Sequence, residues 1–296
     1  MRVGMIGLDT SHCAIFSRLL NDAGDPWHIK GARMVKAIPF FSPDLPISAD
    51  RIGHFTQTVS EQHEVELTED LDEFCRDLDG ILLTAVDGSS HLEWVKKLAP
   101  YGIPLFVDKP IALNTEDVSE MQSIASMHSL PLMSSSSLRF SDGLTKALEE
   151  LNEPVESLYV YGPLPMQEGV PGYFWYGVHL FEMVAAVMGT AAADIEISRN
   201  GNFESCHFHF TGGRSATVMG DLRPHSRFGL VMQTASDTKS IEIWKEPKPY
   251  YASLLEQILV FFKTREPIVS LEETKAIVEW MERANRMRLS DDGADS

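Results

Sequence analysis

The sequence predicts an α/β chain in two parts: a parallel sheet wrapped by helices over residues 1–138, then a second α/β domain over residues 139–296 with an open, largely antiparallel sheet. Three observations carry this. Strand and helix patterns alternate through the first part, the arrangement of βαβ units. Residues 80–86, GILLTAV, are almost wholly apolar, as strands covered on both faces of a parallel sheet are. Beyond residue 140 the strands fall at hairpin spacing, with turn signals at Asn200-Gly201 and Gly212-Gly213.

In order, residues 2–7 read as a buried strand. Residues 11–20 read as a helix that Asp9, Thr10 or Ser11 is able to cap, and 34–41 as a second strand ended by Ser42-Pro43. Residues 44–66 read as loop with one short helix. Helices at 68–78 (capped by Thr68), 89–98 and 115–128 then alternate with strands at 80–86, 103–107 and 131–134. This succession is Rossmann-like. In the second part, 142–151 and 173–188 read as helices, the latter stopped by Gly189. Strands are expected at 157–162, 194–198, 204–210, 214–222, 229–235 and 240–244. Helices at 250–263 and 271–288 close the chain, the second behind a capping box of Ser270 and Glu273. Residues 291–296 are expected to fray.

Composition narrows the partners. Lys and Arg total 25 against 43 Asp and Glu, a formal charge of −18, which argues against nucleic acid and anionic membranes. No apolar run reaches the roughly 18 residues of a membrane span. The N-terminal MRVGMIG lacks the features of a signal peptide, so a cytoplasmic location is expected. Cys13, Cys75 and Cys206 are far apart and form neither a metal-ligand pair nor a disulfide framework; no metal site is expected.

Three segments are candidates for chemistry. The first is the turn Gly7-Leu8-Asp9-Thr10-Ser11-His12, between a buried strand and a helix N-terminus, where backbone N–H groups favour a phosphate. Only the first glycine of GxGxxG is present. Asp9 stands where the second glycine lets backbone approach a pyrophosphate, and its charge is expected to weaken binding unless the side chain turns away. The second is Asp108-Lys109-Pro110 at the carboxyl end of a strand, where a lysine can hold a substrate oxygen; an ordinary turn is the simpler account. The third is 172–182, in which His179 and Glu182 share a helix face. An imidazole there can exchange a proton at neutral pH, or be a core histidine bonded to backbone.

Taken in order, the strand-Gly turn, TAVDGSSH, VDKPIA, SLRF, GVHLFEMVAAVMG and SLEETKAIVEWM resemble the Gfo/Idh/MocA oxidoreductases (glucose-fructose oxidoreductase, inositol dehydrogenase and rhizopine catabolism) over nearly the whole chain. Asp108-Lys109-Pro110 corresponds to the family's Glu-Lys-Pro. His91 corresponds to the histidine after its Thr-Pro-Asn strand end, and His179 to its catalytic histidine. The resemblance implies NAD or NADP in the first domain and a sugar or polyol as substrate. Lys109 and His179 become the candidate catalytic residues. Gly7, Asp9, Thr10, Ser11, Ser42, Asp44, His91 and Asp108 become the candidate cofactor residues, with Asp44 favouring NAD. Trp175 stands where the family often has an aspartate, which suggests an altered pocket; Phe174 and Trp175 either stack on a sugar or fill the core. Arg139 either reaches a ligand or forms a structural ion pair. A non-catalytic ligand sensor on the same fold is the rival reading. Cys206, Phe208 and Phe210 alternate with Ser205, His207 and His209, so the sheet is expected to cover one face with helices and offer the other to a partner subunit in a homo-oligomer.

Overall fold

The computed structural model describes the backbone of residues 1–294 and the side chains of residues 1–289, so the expected fraying at 291–296 falls outside the residues described with side chains. The chain forms two compact units. One comprises Met1–Ser135 with Tyr251–Thr274, the other Ser136–Tyr250 with the chain from Lys275 onward. A single break after residue 138 therefore misplaces Tyr251–Thr274. The Tyr250–Thr264 helix is apolar along most of its length, and its Phe262 ring lies so close over Gly80 that a Cβ there would stand 2.2 Å away. Arg265 donates to the carbonyl of Gly102 at 2.8 Å. Order along the chain gives no sign of this return.

The first unit is built on β1 (Arg2–Ile6), β2 (Arg33–Ile38), β3 (Glu66–Leu67), β4 (Gly80–Leu83), β5 (Leu105–Val107) and β6 (Leu132–Ser134). All pairs are parallel, in the order β3-β2-β1-β4-β5-β6. That is the doubly wound order, and the reversal between β1 and β4 opens a crevice at the strands' carboxyl ends. Residues 44–66 hold two short helices, Pro46–Ala49 and Ile52–Gln57, and a π-helical turn at Thr58–Gln62, where one helix was expected. The expected helix at 68–78 is shorter, Leu71–Cys75, and is capped by Asp70 rather than Thr68; the two-residue edge strand β3, which was not expected, precedes it. A strand this short carries no alternation to read.

The second unit holds β7 (Ser157–Pro163), β8 (Ala192–Asn200), β9 (Phe203–Phe210), β10 (Ser215–Asp221), β11 (Gly229–Gln233) and β12 (Thr238–Ile241), in the order β12-β11-β7-β10-β9-β8. Every pair is antiparallel except β7 with β10. The last strand stops early, and Ile243–Lys245 form a 3-10 turn. The Gly177–Met188 helix also begins later than expected, after a 3-10 turn at Gly172–Phe174. Cys206, Phe208 and Phe210 are buried as their alternation implies, while His209 on the other face is exposed. Phe208 meets Phe181 and Trp280 edge-on, each with ring centroids 5.0 Å apart. Trp280 belongs to the closing Leu271–Ala294 helix, whose Ser270 hydroxyl accepts from Glu273 N–H at 3.1 Å, one half of the expected capping box.

Because Trp280 is 3% exposed at the centre of this aromatic cluster, Trp280→Ala should cost about 3–5 kcal/mol of stability. Chemical denaturation followed by circular dichroism measures it; a loss within the experimental error would mean the cluster relaxes around the gap.

Candidate functional site

The turn after β1 is shaped by one residue. Gly7 has φ of 93°, and a Cβ on it would stand 2.3 Å from the backbone nitrogen of Ala85. Only glycine fits that approach. Its N–H donates to Ile38 O and its carbonyl accepts from the Thr84 hydroxyl, so the ends of β1, β2 and β4 converge on it. Thr10 is the N-cap residue of the Ser11–Asn21 helix but makes no side-chain capping bond. The helix start thus keeps uncapped N–H groups, and the turn fits a pyrophosphate.

Asp9 does not face that anion site openly. It is fully buried; Oδ2 accepts from the Ser48 hydroxyl at 2.6 Å and Oδ1 from Val86 N–H at 3.1 Å. Burial pushes its carboxyl above the usual aspartate range, against those hydrogen bonds. The side chain turns away into the protein. Ser48 Oγ also accepts from Ser42 N–H at 2.8 Å. Asp44 is exposed, beyond the end of β2. His91 is fully buried, with Nδ1 at 3.0 Å from Ile111 O and Nε2 at 2.9 Å from Ala85 O. The ring thus sits between two backbone carbonyls and donates from whichever nitrogen carries the proton.

Asp108 and Lys109 follow β5. Asp108 is buried, and its Oδ2 makes a short hydrogen bond with Nδ1 of His12. Its Oδ1 accepts from the Lys109 N–H at 2.9 Å, and His12 Nε2 lies 3.1 Å from the Tyr251 hydroxyl. Burial alone would raise the Asp108 carboxyl, but His12 and Lys109 hold it below the usual range. Burial in turn pulls the Lys109 ammonium below the usual lysine value, with Asp108 opposing. His12 occupies the third-glycine position of the fingerprint. Its sequence signal was a polar residue where close helix packing wants none; its partners, Asp108 and Tyr251, lie 96 and 239 residues away.

In the second unit His179 is buried, and its Nδ1 lies 2.7 Å from the Ser136 hydroxyl. One turn on, Glu182 Oε2 accepts from Arg139 Nε at 2.7 Å, the ion pair that was one of two expectations for Arg139. The shared face of His179 and Glu182 thus meets the Ser137–Phe140 3-10 turn and the residue before it. Tyr176 and Phe228 flank the imidazole, with centroids at 5.5 and 5.9 Å. Phe174 is core, whereas Trp175 is half-buried against Tyr176.

Residues 1–136 match a family model described as an oxidoreductase family with an NAD-binding Rossmann fold, GFO_IDH_MocA. A curated relative, 2,7-anhydro-N-acetylneuraminate hydratase of Mediterraneibacter gnavus, is 24% identical over 158 residues. That match covers 48% of this chain and 42% of the relative, less than half of its length. Among solved structures, the UDP-N-acetylglucosamine 3-dehydrogenase of Acidithiobacillus ferrooxidans superposes with a TM-score of 0.78 at 11% identity, covering 97% of both chains. A putative myo-inositol dehydrogenase from Sinorhizobium meliloti also gives 0.78, at 16% identity and 98% of both. At these identities the structural likeness speaks to fold.

Breaking the His12–Asp108 pair should destabilise the protein by about 3 kcal/mol in Asp108→Ala, since it strands a buried partner. The sign with pH follows from the depressed carboxyl. The carboxylate's contribution is full above the unfolded aspartate value of about 3.9 and is lost as pH falls below it through the folded value. Urea midpoints of wild type and Asp108→Asn should therefore converge in acid; a gap that persists at the lowest pH would show that packing, not charge, carries it.

Proposed function

We propose, from the match of residues 1–136 to the Gfo/Idh/MocA oxidoreductase family model, that the protein is an NAD(P)-dependent oxidoreductase acting on a CH–OH group of a sugar- or polyol-like substrate. The observation that carries the reading is a cation, Lys109, directly after a central parallel strand in the unit that bears the Gly7 turn and the uncapped helix. Lys109 is assigned to hold the substrate hydroxyl and stabilise charge developing on its oxygen. His179 is assigned to exchange that hydroxyl's proton through Nε2, because Ser136 holds Nδ1. When bound, the nicotinamide supplies the hydride acceptor or donor. Gly7, Thr10 and Ser11 are assigned to the pyrophosphate. The names of the relatives, which specify UDP-N-acetylglucosamine and myo-inositol, support a polyhydroxylated substrate.

A ligand sensor without turnover is the second reading. Asp9 and His12 in two fingerprint-glycine positions, and Trp175 before the catalytic-histidine candidate, favour it. The three cysteines are buried free thiols, which supports a reducing compartment such as the cytoplasm. A homo-oligomer is proposed through the open face of the second sheet. There Tyr159, Phe203 and Trp244 are 39%, 42% and 43% exposed beside a cleft of about 460 Å³.

Lys109→Met and His179→Asn should each lower kcat on a responsive polyol by about a hundredfold or more, with NADH affinity measured by fluorescence nearly unchanged. Wild-type turnover in either variant would remove that residue from the chemistry. NADH binding by the wild type without turnover on a sugar and polyol panel would favour the sensor. Sedimentation should show a species heavier than the 33.1 kDa chain; a single species at that mass at micromolar concentration would reject the oligomer.

A further inference from the structure

Resting on the reading that the first unit binds a nicotinamide dinucleotide, we infer that its adenosine end is held by the aromatic pair Phe40–Trp94 and that the site takes NAD and NADP with little preference. In the doubly wound fold, the adenosine ribose is read at the end of the second strand. An acid there bonds the 2′-hydroxyl of NAD, or an arginine receives the 2′-phosphate of NADP. Here β2 ends at Ile38 and is followed by Pro39, Phe40 and Phe41, which carry no charge. This stretch is fixed beside the dinucleotide turn: Gly7 N–H donates to Ile38 O and Leu8 N–H to Phe40 O, both at 3.2 Å.

The acids near the turn do not substitute. Asp9 is buried against Ser48 and Val86, and Asp44 lies further along the chain in an exposed turn. What stands at the strand end is a ring. Phe40 meets Trp94 edge-on, with centroids 5.2 Å apart and an interplanar angle of 75°. Trp94 lies on the His91–Leu98 helix, which follows β4, the strand on the other side of β1. The pair therefore joins the segments after β2 and β4 across the β1 turn. Both rings are half-buried, so each retains exposed surface.

An aromatic face stacks on adenine whatever the ribose carries. A carboxylate bonded to the 2′-hydroxyl would instead separate the two cofactors by about ten- to a hundredfold, the worth of a charge-assisted hydrogen bond. Lys97 Nζ sits 4.9 Å from the Trp94 centroid, but the side chain is exposed. Its attraction for a 2′-phosphate is screened, as is the repulsion from the chain's net negative charge.

The test is calorimetric titration of the full chain with NADH and with NADPH at physiological salt. The two dissociation constants should agree within about fivefold, as screened charges alone permit. Phe40→Ala should weaken both alike, by about five- to a hundredfold, the loss of one stacked base. Phe40→Leu, which keeps apolar bulk without the ring, replaces it should Phe40→Ala unfold. Phe40→Asp should create a preference for NADH of about tenfold or more. A wild-type preference above about tenfold for either cofactor would overturn the inference and leave the dinucleotide reading standing. Unchanged affinity in both Phe40→Ala and Phe40→Leu would remove the aromatic pair from the site. No binding of either cofactor would overturn the dinucleotide reading itself, and this inference with it.

Discussion

The first unit depends on a steric fact at Gly7. Its backbone passes so close to Ala85 that no side chain can intervene, and its φ of 93° is one that other residues adopt at a cost. Because the chain turns there, Leu8 reaches Phe40, Thr84 reaches back to the Gly7 carbonyl, and the Ser11–Asn21 helix starts over the crevice. The neighbouring strand ends are thus held by bonds to one turn. The orientation of that helix, and with it the position of His12 over Asp108, follows from the same point.

The two later fingerprint positions solve by hydrogen bonding what glycines solve by being small. Asp9 cannot leave room, so it becomes part of the wall. Its carboxylate ties the segment after β4, through Val86, to the loop after β2, through Ser48. Ser42 N–H joins the same Ser48 hydroxyl. His12 cannot pack as closely as glycine against the sheet, so it meets Asp108 instead, and Tyr251 closes the far side of the ring. Burial makes each ionisable group expensive, and each is met by a hydrogen-bond partner. The consequence is a crevice whose rim is cross-linked by polar side chains.

Several elements were legible: β1 and the Thr115–His128 helix lie where they were expected, β4 starts at Gly80 as expected but ends at Leu83 rather than residue 86, and the β9 alternation buries Phe208 and Phe210. The short edge strand β3 was not, since two residues carry no period. Among the candidate residues, Gly7 was singled out by a local motif, and Lys109 and His179 by local motifs read together with the family resemblance. His91, a cofactor candidate, lies buried between two carbonyls, a placement that local sequence does not reveal. His12 and Tyr251 were missed for the same reason. Their meaning lies in contacts across many residues, and the return of Tyr251–Thr274 to the first unit leaves no trace in the pattern of apolar residues.

The second unit shows how a short motif gains meaning from a distant one. On the Gly177–Met188 helix, His179 and Glu182 project from one face; around the Ser137–Phe140 turn, Ser136 and Arg139 stand three residues apart in the same way. The two spacings match, so two bonds form in register, one at each end. The Arg139–Glu182 pair is buried, and such a pair is costly to desolvate and costly to break. Its worth here is geometric: it fixes the turn against the helix so that Ser136 meets Nδ1 of the imidazole. A histidine held through Nδ1 has its ring plane set, and the direction of its other nitrogen is then decided by the fold before any ligand arrives.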